Sequence, residues 1–454
     1  MDGASGVLEL VARLRRREVS AAEVVDAAIA RAREAMPLGA IVTETFERAR
    51  REAPGAQGPF AGIPTFIKDL AHQAGVPTTW GSRAGGAHPA SRDHTFVTRF
   101  LRTGVVSLGK SATPELGLTA TTEPVGRPPC RNPWDPTRSA GGSSGGAGAL
   151  VAAGVVPIAH GSDGGGSIRI PASCCGVVGL KPTRGLIDMA GSPLLPVNVA
   201  VDGVLTRTVA DTRAFYDAMG LATAPARGGP LRIAVFVDAP GGAPVHPEIQ
   251  AAVRGAARLC ESLGHHVDEI RCPVGDALGE DFLLFWGYVA WIQLKTARLI
   301  LHRAFDADRV EPWTRGIAGI GAGRKRETLF AIRRLRAFTR TYAALFADVD
   351  VLVSPVTAQP PPPLGHLDPG LPFEVHLERI KRYSTFTPIQ NVAGAPAISL
   401  PLGRTADGLP IGVQFAGAQG ADRQLLVLAE QLEAAQPWPK IAPVERWRDA
   451  LATT

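Results

Sequence analysis

Cysteine is scarce in this chain. Its 454 residues hold five, Cys130, Cys174, Cys175, Cys260 and Cys272, and no two stand in CxxC spacing. An odd count without such pairs argues against a disulfide framework or a zinc site. Adjacent Cys174 and Cys175 are poorly placed to bridge each other. Long apolar runs are missing too: the longest, near Leu283–Ile292, falls short of the about 20 residues a membrane helix needs. The opening stretch MDGASGVLELVARLRRREVS has no apolar signal core and reads as an amphipathic helix. A reducing, cytoplasmic setting is therefore expected. Nor is there a strong excess of one charge, since 48 basic against 42 acidic residues leave a net +6. The arginine clusters at Arg15–Arg17 and Arg324–Arg340 read as solvated helix faces, and no interleaved aromatics accompany them. Nucleic acid and membrane are thus excluded as expected partners. No internal repeat and no long linker appears.

What is abundant is turn chemistry on an ordinary globular background. The chain is 45% apolar and 20% charged, with 51 glycines and 38 prolines, which speaks for a packed core with many loops. Val7, Leu8, Val11 and Leu14 share the face of a first helix. Ser20-Ala-Ala-Glu23 is a capping box that opens a second. FAGIPTFIKDL (60–70) reads as a buried strand ending at Lys68, VTRFLRTG as a helix closing at Gly104, and VVSLG as a short strand. Pro114 suits the first position of a new helix. Further strands are expected at 231–238 and 348–355, with a helix over 247–264. Two strands joined through Asp407-Gly408 follow near the C-terminus. Strands and helices alternate, so an α/β sheet with helices on both faces is the expected class. Residues 275–345 are helical, aromatic and basic, suited to a cap over a pocket.

Three short motifs compete for the chemistry. GVVSLGKS (104–111) fits the P-loop pattern, but a helix precedes it and its variable positions form a β-type run, so nucleotide binding is set aside. GGSSG (141–145) fits the nucleophile elbow of α/β-hydrolases. That reading wants a strand directly before it, which NPWDPTRSA does not resemble. It also wants a catalytic histidine, and none of His246, His265, His266, His302, His366 and His376 is singled out by context. The third is HGSDGGGSIRIP (160–171), where three glycines precede Ser167. Such a turn either packs tightly or aims successive N–H groups at one spot. A developing oxyanion needs such donors, which contribute several kcal/mol in known enzymes. His160 ends a strand and suits the core. Asp163 and Arg169 flank the turn and are expected to pair and hold it. Lys68 follows an apolar run; a buried lysine loses its preference for the charged form and serves as a general base.

Together these segments resemble the amidase signature family over nearly the whole chain. The resemblance rests on AGIPTFIKDL, GKSATPELG, RNPWDPTRSAGGSSGGAGALVAAG, GSDGGGSIRIPASCCGVVGLKPTRG and NVAGAPAISLPLG…DGLPIGVQ. It implies a Ser–cis-Ser–Lys triad. Ser167 would be the nucleophile, Ser143 the bridging serine after a cis peptide bond, and Lys68 the base. The N–H groups of Gly164, Gly165, Gly166 and Ser167 would form the oxyanion hole, with Ser144, Asp163 and Arg169 supporting the loops. It also implies one domain over 1–454 built on a large mixed β-sheet covered by helices. The reaction implied is hydrolysis of a linear or cyclic carboxamide through an acyl-enzyme, without metal or cofactor. The expected partner is a small-molecule amide; a homodimer is left open.

ATTEP (120–124) and NPW are similar to a bacterial subgroup that hydrolyses nylon-oligomer cyclic dimers. The alternative is an acyl or amido transferase, such as the glutamine-using component of a tRNA-dependent amidotransferase. That relative carries an acidic residue just before the segment matching TPIQN, and RYSTFTPIQN has none. Gly164 stands where the family more often has a larger residue. Leu118, Trp286, Tyr288 and Trp291 are candidates for an apolar pocket lining, with core packing as the competing reading.

Overall fold

A computed structural model describes residues 3–86, 88–187 and 196–452. Its strands are β1 (Ile41–Glu44), β2 (Pro64–Lys68), β3 (Val106–Ser111), β4 (Arg131–Asn132), β5 (Asp135–Ser139), β6 (Ile158–Asp163), β7 (Val178–Lys181), β8 (Val201–Thr206), β9 (Arg232–Val235), β10 (His266–Glu269), β11 (Val351–Pro355), β12 (Ala397–Arg404) and β13 (Pro410–Ala416). Its α-helices are α1 (Val7–Arg15), α2 (Ala21–Glu34), α3 (Phe46–Glu52), α4 (Thr95–Arg102), α5 (Gly145–Ala152), α6 (Arg169–Cys175), α7 (Val209–Ala218), α8 (Pro247–Ser262), α9 (Ala277–Ile300), α10 (Pro312–Gly323), α11 (Lys325–Ala344), α12 (Phe373–Tyr383), α13 (Pro388–Ala393), α14 (Asp422–Ala435) and α15 (Val444–Ala452). Among the described residues no helix is long and apolar enough to cross a membrane.

The main sheet has eight strands in the order β10-β9-β11-β13-β12-β7-β8-β6. Its β10, β9 and β11 edge is parallel, and the pairings onward from β11 are antiparallel. Side chains of a strand alternate between faces, and here the two faces enter different apolar clusters. Ile233, Val235, Val351 and Val353 join one, while the intervening Ala234 and Leu352 join another. Helices therefore cover both faces, as an α/β chain with near-continuous apolar strands requires. A separate three-stranded sheet, β1-β3-β2, carries Lys68 at its end.

Several local expectations are corrected. On α1 Leu10 is buried and Leu8 exposed, because the buried stripe runs through Val7, Leu10 and Val11. The capping box of Ser20 and Glu23 forms as expected. Pro114 opens only a three-residue 3-10 turn, where Leu116 adopts a positive φ and ends the run. GVVSLGKS is strand β3 with Lys110 buried inside it, so no phosphate-binding loop forms there. The stretch before Ser143 does contain a strand, β5, paired to β4 by a tight turn.

Candidate active site

The site starts from β2. All five of its residues are buried. Phe66 and Ile67 enter different apolar clusters, so the strand is gripped from both sides. The next side chain, Lys68, is fully buried. Its backbone N–H donates to His160 Nδ1 at 3.2 Å. That nitrogen is thus the acceptor, and the His160 proton sits on Nε2, which donates to Asp202 Oδ1 at 3.1 Å. The Lys68 Nζ lies 2.7 Å from Ser143 Oγ and 3.0 Å from Ser162 Oγ. Burial pushes the Lys68 amine down to about 7, against the opposing pull of the Asp163 and Asp202 carboxylates. Near neutral pH a large fraction of this lysine is therefore an uncharged base.

Ser143 is buried and follows a cis peptide bond from Gly142. Ser144 ties this loop to its surroundings. Its N–H donates to the Ser167 carbonyl at 3.2 Å, and its hydroxyl donates to the Ser162 carbonyl at 3.2 Å. The small residues that follow allow α5 to be buried at every position from Gly145 to Ala152.

The turn from Asp163 to Arg169 hangs on one carboxylate. Asp163 accepts from the N–H of Gly166 at 2.7 Å and of Ile168 at 3.1 Å. It also accepts from Arg169 Nε at 3.0 Å and Nη2 at 2.9 Å, and from Asn391 Nδ2 at 2.9 Å. Burial alone would raise the Asp163 pKa, but the adjoining Arg169 guanidinium holds it well below the usual carboxylate range. Arg169, fully buried, donates onward to Gln414, Asn391 and Gln390. The expected pairing of Asp163 with Arg169 is present.

Gly166 corrects one expectation. Its N–H is committed to Asp163, so it does not face an oxyanion here. Its positive φ of 123° leaves no room for a side chain, since a Cβ would run into Thr387. Thr387 Oγ1 in turn donates to the Gly165 carbonyl at 2.6 Å. No described residue accepts from the N–H groups of Gly164, Gly165 or Ser167. Ser167 and Gly165 line an open cavity of about 980 Å³. Leu118 and Trp286 line it as well, joined by Phe282 and Trp313. Tyr288 and Trp291 are not among the lining residues; they pack on each other, and Lys325 covers Trp291.

A family model described as Amidase matches residues 23–426. The chain belongs to the amidase family. A Mycobacterium leprae protein named as a candidate amidase, AmiC, is 43% identical, with 97% of each chain covered. The 6-aminohexanoate-cyclic-dimer hydrolase of a Pseudomonas strain is 38% identical, over 94% of this chain and 93% of that one. A solved structure of 6-aminohexanoate cyclic dimer hydrolase with substrate superposes with a TM-score of 0.87 at 34% identity, covering 96% of this chain and 98% of the other. The amidase is accordingly an amide-hydrolysing enzyme. The histidines weighed for an elbow-type hydrolase, His246, His265, His266, His302, His366 and His376, do not line this cavity.

The sequence reading passed over Ser162, Asp202, Thr387 and Asn391. Ser162 carried a signal, because residues two apart on a strand share a face. His160 and Ser162 both meet Lys68 in this way. Asp202 stands opposite Ser162 in the β6–β8 register. Thr387 and Asn391 lie more than two hundred residues from the turn they hold, and no local pattern announces that.

Proposed function

We propose that Ser167 is the nucleophile of this amidase, Ser143 the proton relay and Lys68 the base. Neutral Lys68 accepts the Ser143 proton while Ser143 accepts that of Ser167, and Ser167 Oγ forms a bond to the amide carbonyl carbon. The N–H groups of Gly164, Gly165 and Ser167 receive the carbonyl oxygen as it gains negative charge. Collapse breaks the C–N bond, and the proton returns through Ser143 to the leaving nitrogen. Water then attacks the ester by the same relay, releasing the acid and restoring Ser167.

The observation that carries this reading is the 2.7 Å approach of a buried Lys68 to Ser143. The substrate is proposed to be a linear or cyclic carboxamide with an apolar flank, given the leucine, tryptophan and phenylalanine lining. Nothing favours the transferase alternative, because 382–391 offers no carboxylate for a substrate amino group. The proposal includes one unit over 1–454 with 275–345 as its cap, supported by Phe282, Trp286 and Trp313 lining the same cavity as Ser167. A cytoplasmic setting is likewise proposed, supported by five unpaired cysteines. Intact mass after incubation with a fluorophosphonate tests the site. One adduct on the wild type and none on Ser167→Ala is expected; an adduct that persists in Ser167→Ala places the nucleophile elsewhere.

A further inference from the structure

The turn before Ser167 begins with glycine at 164, and the structure shows what fills the space a side chain would take. A Cβ on Gly164 would stand 3.1 Å from the Trp286 ring, and one on Gly165 would stand 3.2 Å from the Phe282 ring. Both rings come from α9, four residues apart, and so lie on one face of it. They stack with centroids 5.5 Å apart and planes inclined by 19°. The stack is anchored. Trp286 Nε1 donates to the Leu118 carbonyl at 3.0 Å, and Trp313 Nε1 from α10 donates to the same oxygen at 3.1 Å. Phe282, Trp286 and Leu118 line the cavity onto which Ser167 opens. A helix thus supplies, from more than a hundred residues away in sequence, two stacked rings whose edges are pressed against the backbone that would hold the oxyanion.

We propose that Phe282 and Trp286 are the specificity-determining wall beside the scissile carbonyl, in place of a side chain at 164, and select amides whose neighbouring group is flat or unbranched. The inference rests on the reading of Ser167 as nucleophile. A carbonyl oxygen seated on Gly164 and Gly165 brings the adjoining carbon alongside the rings. An aryl ring or straight chain passes the ring edges at van der Waals distance, and an aryl ring gains from an edge-to-face contact. A branch on that carbon projects out of the plane into the wall, which cannot yield while both indoles hold Leu118.

The experiment compares kcat/KM for the anilides of benzoic, butyric and trimethylacetic acid. Wild type is expected to favour the first two by about tenfold or more, the range that small steric differences produce in a pocket. Trp286→Ala should bring that ratio close to one. Gly164→Val should depress turnover by crowding Trp286, and adding Trp286→Ala should recover it. Trp286→Phe, which retains a ring but gives up the hydrogen bond to Leu118, should keep part of the preference and controls for folding. An unchanged ratio in Trp286→Ala, or no recovery in the double variant, overturns the wall and leaves the nucleophile assignment standing. Calorimetric binding of the parent amides to Ser167→Ala, with and without Trp286→Ala, gives a readout independent of turnover. A preference lost with Trp286 there supports the wall even if wild type hydrolyses nothing, which would sink the nucleophile assignment instead. No preference in Ser167→Ala overturns the wall.

Discussion

At Lys68 burial and charge pull in opposite directions. Loss of solvent drives the amine toward neutrality, and Asp163 and Asp202 draw it back, leaving it at about 7. The sign of the pH dependence follows. Lys68 accepts a proton only when uncharged, so kcat/KM should fall as pH drops through about 7, by about tenfold per unit well below it. A profile flat to pH 5 would remove Lys68 as the base. Asp202→Asn removes a charge that raises the Lys68 pKa, while an amide oxygen still accepts from His160 Nε2; the acid limb should therefore shift to lower pH, read from the same profile. Lys68→Ala should cost about 10²–10⁴ in kcat, the usual worth of a general base, with the fold retained by circular dichroism. Lys68, Ser143 and Ser167 could be proposed from the sequence because each stands in a motif of its own. Asp202 could not, because its tie to Lys68 runs through the pairing of β6 with β8.

The element that decides the site's rigidity is the loop from Asp163 to Arg169. It combines three glycines with a buried ion pair between its own ends, so its stiffness comes from Asp163 and Arg169 together with the bonds from Asn391 and Thr387. Arg169→Met leaves the Asp163 carboxylate buried without its main partner, and breaking such a pair costs about 3–5 kcal/mol. Urea unfolding should show that loss as a lower midpoint with an unchanged slope. Gly166→Ala should act differently. It forces a side chain onto Thr387 at a positive φ, and kcat should fall further than thermal stability does. The Asp163–Arg169 pairing was visible from spacing alone, whereas the availability of the Gly166 N–H was misjudged because the acceptor is the loop's own carboxylate. The same local blindness explains Pro114: its ring suits a helix start, but the chain turns away at Leu116 to close on Trp80.

Across the whole molecule the strands were easier to foresee than their neighbours. IPTFIK and AISLPLG announce buried strands by composition. Nothing in either says that β2 belongs to a small sheet and β12 to a large one. Register and order are set by contacts between distant segments, and so is the cavity wall from α9. Stability should be graded accordingly. Amides of β12 and β13, buried along nearly all of their length, should exchange with deuterium only on global opening. The last turn of α9, where Leu299 is 87% exposed, should exchange first. Equal protection at both places, read by mass spectrometry, would contradict that grading.

Trp286 has one more consequence. Indole emission responds to what lies against the ring, and this ring lies against the backbone that would receive the substrate's oxygen. Occupation of the turn should therefore be visible as light, with no dye attached. The chain carries seven tryptophans, and the difference between wild-type and Trp286→Phe spectra isolates the one that watches the reaction. An acyl-enzyme that forms and decays would then write its own time course.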